Sequence, residues 1–498
     1  MVSKKTLLSK KVKTAKRAVV DIGSNSVRLV IYDGFLRAPM PICNEKALCG
    51  LGRDLNADGS LNPDAVKAAL ETLTRFRRIL KVHGDPTTTA IATSAVREAK
   101  DGKKFVSAVR KIGIDVSVIS GAEEAELAAL GVLSYEPGAT GIAGDLGGGS
   151  LELISLKDGE MGDTVSLKIG PLTLMQATNN NLKEASKVID DELAKVSFLG
   201  KKSLTTLYAV GGAWRALAKI QMQLRRYPLS VLHHFELSDY DALEVCNLIA
   251  GLSRRSLEEI PGIPRRRIDT LPYAAVVLRK LIEHMSAESV MVSAGGIREG
   301  LLFRDLDNET KKHDPFLDAC RFYARRLAPA PDYGRAALKV VSPLFKDAKE
   351  YERLRLATTS LMDIGAFFHP DLRGRFAFDT AMWAPFVGVS HKERIWTALA
   401  LFRRYSQRPV EPQHDQVISI LTWDEQNAAM QMGLALRFVA TFSPKVSAPL
   451  KGCKLSLSGG KLTFQAPENR RDMMGESPRK RLALLAAAFE AEPVEVFT

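Results

Sequence analysis

The sequence predicts an α/β fold built by duplication and extended by a helical region. Three observations carry this. Two Asp-led, glycine-rich loops, Asp21-Ile22-Gly23-Ser24-Asn25-Ser26 and Asp145-Leu146-Gly147-Gly148-Gly149-Ser150, stand one domain's length apart, each between two short apolar runs. Residues 18–126 alternate strand-like and helix-like segments, and residues 127–309 repeat that order. From about residue 310 the apolar spacing becomes helical, as in Pro315–Leu327 and Tyr351–Phe367.

Taken in order, the chain opens with seven Lys/Arg in its first 17 residues and no acid. Residues 1–17 read as a solvated, disordered basic tail, with contact to a polyanion as the alternative. They lack the apolar stretch of a secretory signal. The first half, residues 18–126, has strands at Ala18–Val20 and Val27–Tyr32 joined by the first loop as a hairpin. A helix over Pro63–Val82 starts at Asn62-Pro63, a cap followed by proline. Gly84-Asp85-Pro86 breaks the chain. A strand at Thr87–Ala92, a helix at Lys103–Ile112 and a strand at Val116–Ile119 follow. The second half, residues 127–309, has its glycine hairpin at 144–150, strands at Leu151–Leu156 and Leu207–Val210, and a last strand at Val290–Ser293 before Ala294-Gly295-Gly296. Residues 310–435 form the helical region. Residues 436–498, with Leu455–Leu457, Gly459-Gly460, Leu462–Phe464 and a helix at Arg481–Phe489, read as a small α+β unit.

The chain has 498 residues, which suggests roughly three or four domains. No apolar run reaches the ~18 residues that span a bilayer, so no membrane insertion is expected. Five scattered cysteines without a CxxC pair read as reduced thiols of a cytoplasmic protein with no zinc site. The formal charge of +13 favours an anionic ligand: nucleic acid, an anionic membrane or a phosphate polymer. No helix-turn-helix, RNP-type aromatic motif or zinc-finger spacing is present, so no specific nucleic acid is expected.

Each glycine loop offers backbone N–H groups and hydroxyls to a phosphate, and the Asp at its mouth can hold a metal ion through water. Two such loops suggest a fold that clamps a phosphoryl group between its halves. The first, extended to Val20–Arg28, resembles the first phosphate loop of the exopolyphosphatase/guanosine pentaphosphate phosphatase family. Further blocks match in order: Ala92-Thr93-Ser94-Ala95-Val96-Arg97, Ser120-Gly121-Ala122-Glu123-Glu124-Ala125, Asp145 to Glu152, and Ala209-Val210-Gly211-Gly212-Ala213-Trp214-Arg215. Pro261-Gly262-Ile263 with Arg267 and Asp269, and Gly295-Gly296-Ile297-Arg298-Glu299-Gly300, also fit. The resemblance covers residues 18–309 well and the remainder loosely. It implies two actin-like (ribonuclease H-like) domains, as in the actin/Hsp70/sugar-kinase superfold, and a homodimer.

Phosphoanhydride hydrolysis needs an in-line water, a group to accept its proton, and donors or cations for the equatorial oxygens. Glu124 matches the family's catalytic glutamate and is the expected general base, with a surface carboxylate as the bland alternative. Glu123 is expected to support the helix start. Asp145 and Glu152 are the expected carboxylates for Mg²⁺ (or Mn²⁺), with Asp21 able to hold a metal-bound water; a strand-face charge is the alternative for Glu152. The phosphate grip is expected from Gly23, Ser24, Asn25, Ser26, Thr93, Ser94, Gly147, Gly148, Gly149 and Ser150. Arg97 and Arg28 are expected at a terminal phosphate, or paired with structural carboxylates. Gly211-Gly212 and Gly295-Gly296 stand where kinase relatives hold adenosine; close packing and a regulatory nucleotide both fit.

Leu361-Met362-Asp363-Ile364-Gly365 resembles the Leu-His-Asp-Ile-Gly element of metal-dependent HD phosphohydrolases, with Met362 at the place of the ligating His. A thioether is a poor ligand for Mg²⁺ or Mn²⁺. With only His369 and His391 nearby in sequence, a degenerate HD-like domain is expected, serving dimerisation and polyanion binding. Arg373, Arg375, Arg394, Arg403, Arg404 and Arg408 would line a track for a long chain, or be ordinary surface charge. The resemblance implies an exopolyphosphatase acting on linear inorganic polyphosphate. The alternatives are a guanosine pentaphosphate phosphohydrolase and a non-catalytic polyphosphate or nucleotide sensor.

Overall fold

The computed structural model describes residues 16–34, 37–52, 59–261, 263, 265–346 and 348–498. The predicted basic tail lies outside these residues except for Lys16 and Arg17. The chain divides into two compact units: Met1–Arg226 with Leu232–Lys312, and Tyr227–Val231 with His313–Thr498.

The first unit runs β1 (Arg17–Ile22), β2 (Val27–Tyr32), β3 (Pro41–Ala47), α1 (Pro63–Val82), β4 (Thr87–Ala92), α2 (Ser94–Glu98), α3 (Gly102–Lys111), β5 (Val116–Val118) and α4 (Gly121–Tyr135). It continues β6 (Gly141–Leu146), β7 (Leu151–Lys157), β8 (Glu160–Leu167), α5 (Pro171–Ala177), α6 (Leu182–Leu193), β9 (Thr206–Val210), α7 (Gly212–Leu224), β10 (Phe235–Ser238) and α8 (Asp239–Gly251). Then come α9 (Arg254–Glu259), α10 (Leu271–Met285), β11 (Ser289–Val292), α11 (Ile297–Arg304) and α12 (Asn308–Lys311).

The duplication is visible in the sheets. One has the order β3-β2-β1-β4-β5, the other β8-β7-β6-β9-β11-β10. In both, three antiparallel strands of a meander are followed by two strands parallel to the first, and the second sheet adds β10 antiparallel to β11 at its edge. The predicted helix Pro63–Val82 starts as expected, with Asn62 Oδ1 accepting from the N–H groups of Asp64 and Ala65. Three strands of this unit went unread: β3, β8 and β10. Residues of β3 and β8 are largely exposed, so neither shows the apolar alternation that marks a half-buried strand.

Helix α4 lies at the centre of this unit. Ala125, Ala129 and Val132 pack with Ala143, Ile154 and Leu156 of the second sheet. Leu127 packs with Val19, Val30 and Ile91 of the first, and with Leu301 and Leu302 of α11. A helix apolar on nearly all sides is the expected result of burial between layers. The boundary drawn at 126/127 therefore falls within a helix shared by both halves. Glycines let α4 and α11 touch: a Cβ at Gly300 would collide with the Leu127 carbonyl, and one at Gly131 with the Gly296 backbone.

The second unit contains α13 (Pro315–Leu327), α14 (Tyr333–Val341), α15 (Glu352–Leu361), α16 (Arg373–Trp383), α17 (His391–Tyr405), α18 (Pro412–Ile418) and α19 (Trp423–Phe442). A three-stranded sheet of β12 (Lys454–Ser458), β13 (Lys461–Ala466) and β14 (Glu492–Phe497) follows, with α20 (Glu476–Ala487) before β14. Phe438 and Phe442 of α19 pack edge-on against Phe464 of β13, so helices and sheet share a core.

The arginine track is corrected at two of its positions, Arg394 and Arg404. Arg394 is 1% exposed, and its guanidinium donates to the carbonyls of Ala381, Met382, Ala384 and Phe386, closing the end of α16. Arg404 is buried against Asp363 at 2.7 Å. Arg373 donates to the Phe368 carbonyl, Arg403 to that of Arg408, and Arg375 pairs with Asp379 and Glu411. Helical arginines read as surface charge because the long side chain hides which end of it is buried. All five cysteines are free thiols. Among the described residues no helix is long and apolar enough to cross a membrane.

Candidate active site

The two glycine turns are built alike. Gly23 N–H donates to Ser26 O and Gly147 N–H to Ser150 O, each at 3.0 Å. Their carbonyls are tied from behind. Gly52 and Gly50 N–H donate to Ser24 O and Asn25 O, while Leu172 and Gly170 N–H donate to Gly148 O and Gly149 O. The N–H groups of Ser24, Asn25, Gly148 and Gly149 donate to no backbone carbonyl among the described residues. Such unused donors form an anion-binding concavity. Ser24 Oγ and Ser94 Oγ share a hydrogen bond at 2.8 Å, joining the first loop to the start of α2.

Both turns open on one cleft. Its walls include Asp21, Gly23, Ser24, Asn25, Ser26 and Arg28, Thr93 and Ser94, Glu124, and Asp145, Gly147, Gly148 and Glu152. Gly149 and Ser150 stand just behind the wall. Gly149 packs on Ser94, and the Ser150 hydroxyl bonds the Glu152 carboxylate.

Duplication places unlike charges in like positions. Across the first sheet, Asp21, Arg28 and Lys46 lie in register; across the second, Asp145, Glu152 and Ser166 do. Arg28 Nε donates to Asn44 Oδ1 at 2.8 Å. Glu152, 1% exposed, accepts from Ser166 Oγ at 2.9 Å.

Glu124 is set by the start of α4. Ser120 caps the helix, its hydroxyl accepting from Glu123 N–H while the Glu123 carboxylate accepts from Ser120 N–H at 2.8 Å. Those bonds hold the exposed Glu123 carboxyl below its ordinary range. One residue on, Glu124 turns inward and is 6% exposed. Arg97, at the end of α2, donates through Nη1 to Glu124 Oε2 at 3.0 Å and to the Ile119 carbonyl at 2.9 Å. Arg97 is therefore placed on the Glu124 carboxylate and is not among the residues of the cleft wall.

Burial raises the Glu124 carboxyl, Arg97 opposes the rise, and Asp145 and Asp21 add to it. Glu152 is also raised, first by burial and then by the charge of Glu124. Asp145 is pushed up to about 6 by burial against the opposing charge of Arg215. Among the described residues no three Asp, Glu, His or Cys side chains are gathered as a metal cage. The hard oxygens of Asp21, Asp145 and Glu152 on a common wall are of the kind that suits Mg²⁺, which uses one or two carboxylates and keeps several waters.

Four cations of the wall were not read as site residues: Lys46, Arg215, Arg267 and Arg298. Arg298 Nη1 lies 3.3 Å from Asp21 Oδ2. Beside it, Glu299 accepts from Tyr32 Oη at 3.0 Å and from Gly296 N–H. Both Arg215 and Arg298 follow a glycine pair by a few residues, a repeated signal that sequence could have supplied. The Gly211-Gly212 pair is closely packed: Gly211 has φ 106°, and a Cβ at Gly212 would collide with the Arg267 guanidinium.

Residues 30–309 match the model of the Ppx/GppA phosphatase family, and residues 335–491 that of the exopolyphosphatase C-terminal domain. The chain belongs to the Ppx/GppA phosphatase family. It is a hydrolase of phosphoanhydride bonds. This Ppx/GppA member is similar to exopolyphosphatase 2 of Mycobacterium tuberculosis, 26% identical over 57% of this chain and 96% of the relative. It also resembles retrograde regulation protein 2 of Saccharomyces cerevisiae, 28% identical over 78% of this chain and 72% of the relative. Among solved structures, an exopolyphosphatase from Cytophaga hutchinsonii matches with a TM-score of 0.54 and 28% identity, over 58% of this chain and 96% of that one. The PPX-GPPA enzyme of Aquifex aeolicus matches with a TM-score of 0.50 and 26% identity, over 58% and 98%. The actin-like fold expected of the first unit is the fold of these relatives.

Proposed function

We propose that this protein is an exopolyphosphatase that releases the terminal phosphate of linear inorganic polyphosphate, with Glu124 as general base. The observation that carries the reading is the buried Glu124 carboxylate, held by Arg97, on the wall of a cleft lined by two turns with unused N–H donors. The terminal phosphoryl group would lie between the turns. A water attacks its phosphorus in line, Glu124 accepts the water's proton, and the anhydride P–O bond to the rest of the chain breaks. Loop N–H groups, with Arg28, Arg215, Arg267 and Arg298, offset the negative charge of the non-bridging oxygens.

Asp145 and Glu152, with Asp21 through water, would hold Mg²⁺ (or Mn²⁺), which supplies further neutralisation of phosphate charge. The cleft encloses about 220 Å³. That is below the range of about 300–1,000 Å³ that buries a whole drug-sized ligand. An end of a substrate fits better than its middle, which favours attack on a terminal phosphate.

A phosphate-release assay tests this with long-chain polyphosphate, tripolyphosphate and guanosine pentaphosphate, each with and without Mg²⁺. Release from polyphosphate that requires Mg²⁺ is the expected result. Higher kcat/KM on guanosine pentaphosphate would replace the substrate assignment, and no release from any of them would leave the sensor reading.

A further inference from the structure

The cleft has a third glycine turn, Ala294-Gly295-Gly296, between β11 and α11, and its backbone is used differently from the other two. Ala294 and Gly296 stand on the cleft wall. Each of the turn's three N–H groups is already taken by a side chain. Ala294 N–H donates to His233 Nδ1 at 3.4 Å, Gly295 N–H to Ser293 Oγ at 3.1 Å and Gly296 N–H to Glu299 Oε2 at 3.0 Å. A turn whose donors are used in this way cannot cradle a phosphate as the turns at Gly23 and Gly147 can. It is also packed from behind: a Cβ on Gly295 would collide with the Gly131 carbonyl of α4.

What the turn carries is Arg298. Helix α11 begins at Ile297, so Arg298 lies in its first turn, directly after the glycines. Its guanidinium is on the cleft wall, with Nη1 3.3 Å from Asp21 Oδ2 of the opposite half. The place of the turn therefore sets how far this guanidinium reaches across the cleft.

Two of the three acceptors are local, since Ser293 and Glu299 flank the turn. His233 stands 61 residues earlier in the chain, just before β10. It is 8% exposed, and its ring meets that of Tyr135 edge-on, with centroids 5.2 Å apart. A ring nitrogen that accepts carries no proton, so the proton of the neutral ring is on Nε2. Nε2 faces Glu136 Oε1 at 3.8 Å, and His234 Nε2 lies 3.4 Å from the same oxygen. Helix α4 thus has Glu124 in its first turn and, at its C-terminal cap, the carboxylate beside His233. Removing the ring nitrogen would leave the Ala294 N–H without its acceptor, which is unfavourable in a largely buried place and drives the turn to shift.

We propose that His233 is a positioning residue for Arg298, acting through the Ala294–Gly296 turn. The proposal rests on the exopolyphosphatase reading, in which Arg298 meets a non-bridging oxygen of the substrate. The test is steady-state phosphate release from polyphosphate by the full-length protein. His233→Gln carries its amide to the place of Nε2 and strips the acceptor from Ala294; KM should rise about tenfold or more, with kcat within about threefold of the parent. His233→Asn keeps a polar group at the place of Nδ1 and should restore KM. His233→Phe keeps a ring against Tyr135 without the acceptor and serves should His233→Gln fail to fold. In an Arg298→Met background, which should itself raise KM, His233→Gln should change KM no further, because the group it positions is gone. The parent's KM in a folded His233→Gln or His233→Phe protein, an equal rise in His233→Asn, the parent's KM in Arg298→Met, or the same rise in both backgrounds would overturn the proposal with the exopolyphosphatase reading intact. No phosphate release by the parent protein would overturn that reading and this proposal with it.

Discussion

Arg97 donates to Glu124 Oε2 at 3.0 Å and, through the same nitrogen, to the carbonyl of Ile119. The Glu124 carboxylate, the proposed base, is thus tied to the end of β5, and its charge is favoured against a burial that opposes it. Arg97→Met should lower kcat about tenfold to a hundredfold, by analogy with loss of an orienting partner. It should also move the acid limb of the pH–rate profile to higher pH, because Arg97 lowers the Glu124 pKa. An unmoved acid limb would make Arg97 a purely structural residue.

The parent enzyme should lose activity on the acid side near neutrality. The Glu124 carboxyl is raised to about 7, and a general base works only when ionised. Activity therefore rises with pH through that region, well above the ordinary range of a glutamate. A kcat/KM profile that is flat from pH 5 to 8 would contradict the assignment; these limits are about one to two units either side of the shifted group.

Glu152 gives a stability test with the opposite sign from the usual carboxylate. Its pKa is raised on folding, so the folded state holds the proton more tightly than the unfolded state. Stability without divalent cation should fall as pH rises from the ordinary glutamate range towards about 8. Glu152→Gln keeps an acceptor for Ser166 and removes the charge. Its Tm should exceed the parent's at alkaline pH, while the Mg²⁺ concentration for half-maximal activity rises about tenfold or more. A lower Tm at alkaline pH would sink this account of the buried charge.

Asp363 and Arg404 form a buried pair, and breaking such a pair commonly costs about 3–5 kcal/mol. Asp363→Ala should therefore lower the denaturation midpoint of the second unit clearly. A midpoint within error of the parent would show the pair to be dispensable.

Much of this site was legible because its chemistry is local in sequence. The hairpin turns, Glu124 and Asp145 sit in short blocks whose glycines and acids announce a phosphate, and β2, β4 and α1 run as their apolar spacing predicts. What was hidden depends on contacts between distant segments. Gly170 holds the Gly149 carbonyl, and a Cβ there would collide with the Gly149–Ser150 backbone, yet alone it reads as a helix start. Lys46 reaches the cleft only because the unread edge strand β3 pairs with β2. Arg394 and Arg404 looked like surface charge, since helical spacing does not say whether a guanidinium ends in water or on carbonyls. Gly170→Ala probes the hidden layer: with the fold intact, kcat/KM should drop about tenfold to a hundredfold through displacement of the second turn.

The central claim is that Glu124 takes the proton of the attacking water, and Glu124→Gln tests it most directly. Steady-state phosphate release from polyphosphate should show kcat reduced ~100- to 10,000-fold, with KM changed little and the thermal unfolding profile retained. A folded Glu124→Gln protein with kcat within about threefold of the parent would contradict the account, since positioned general bases contribute far more than that.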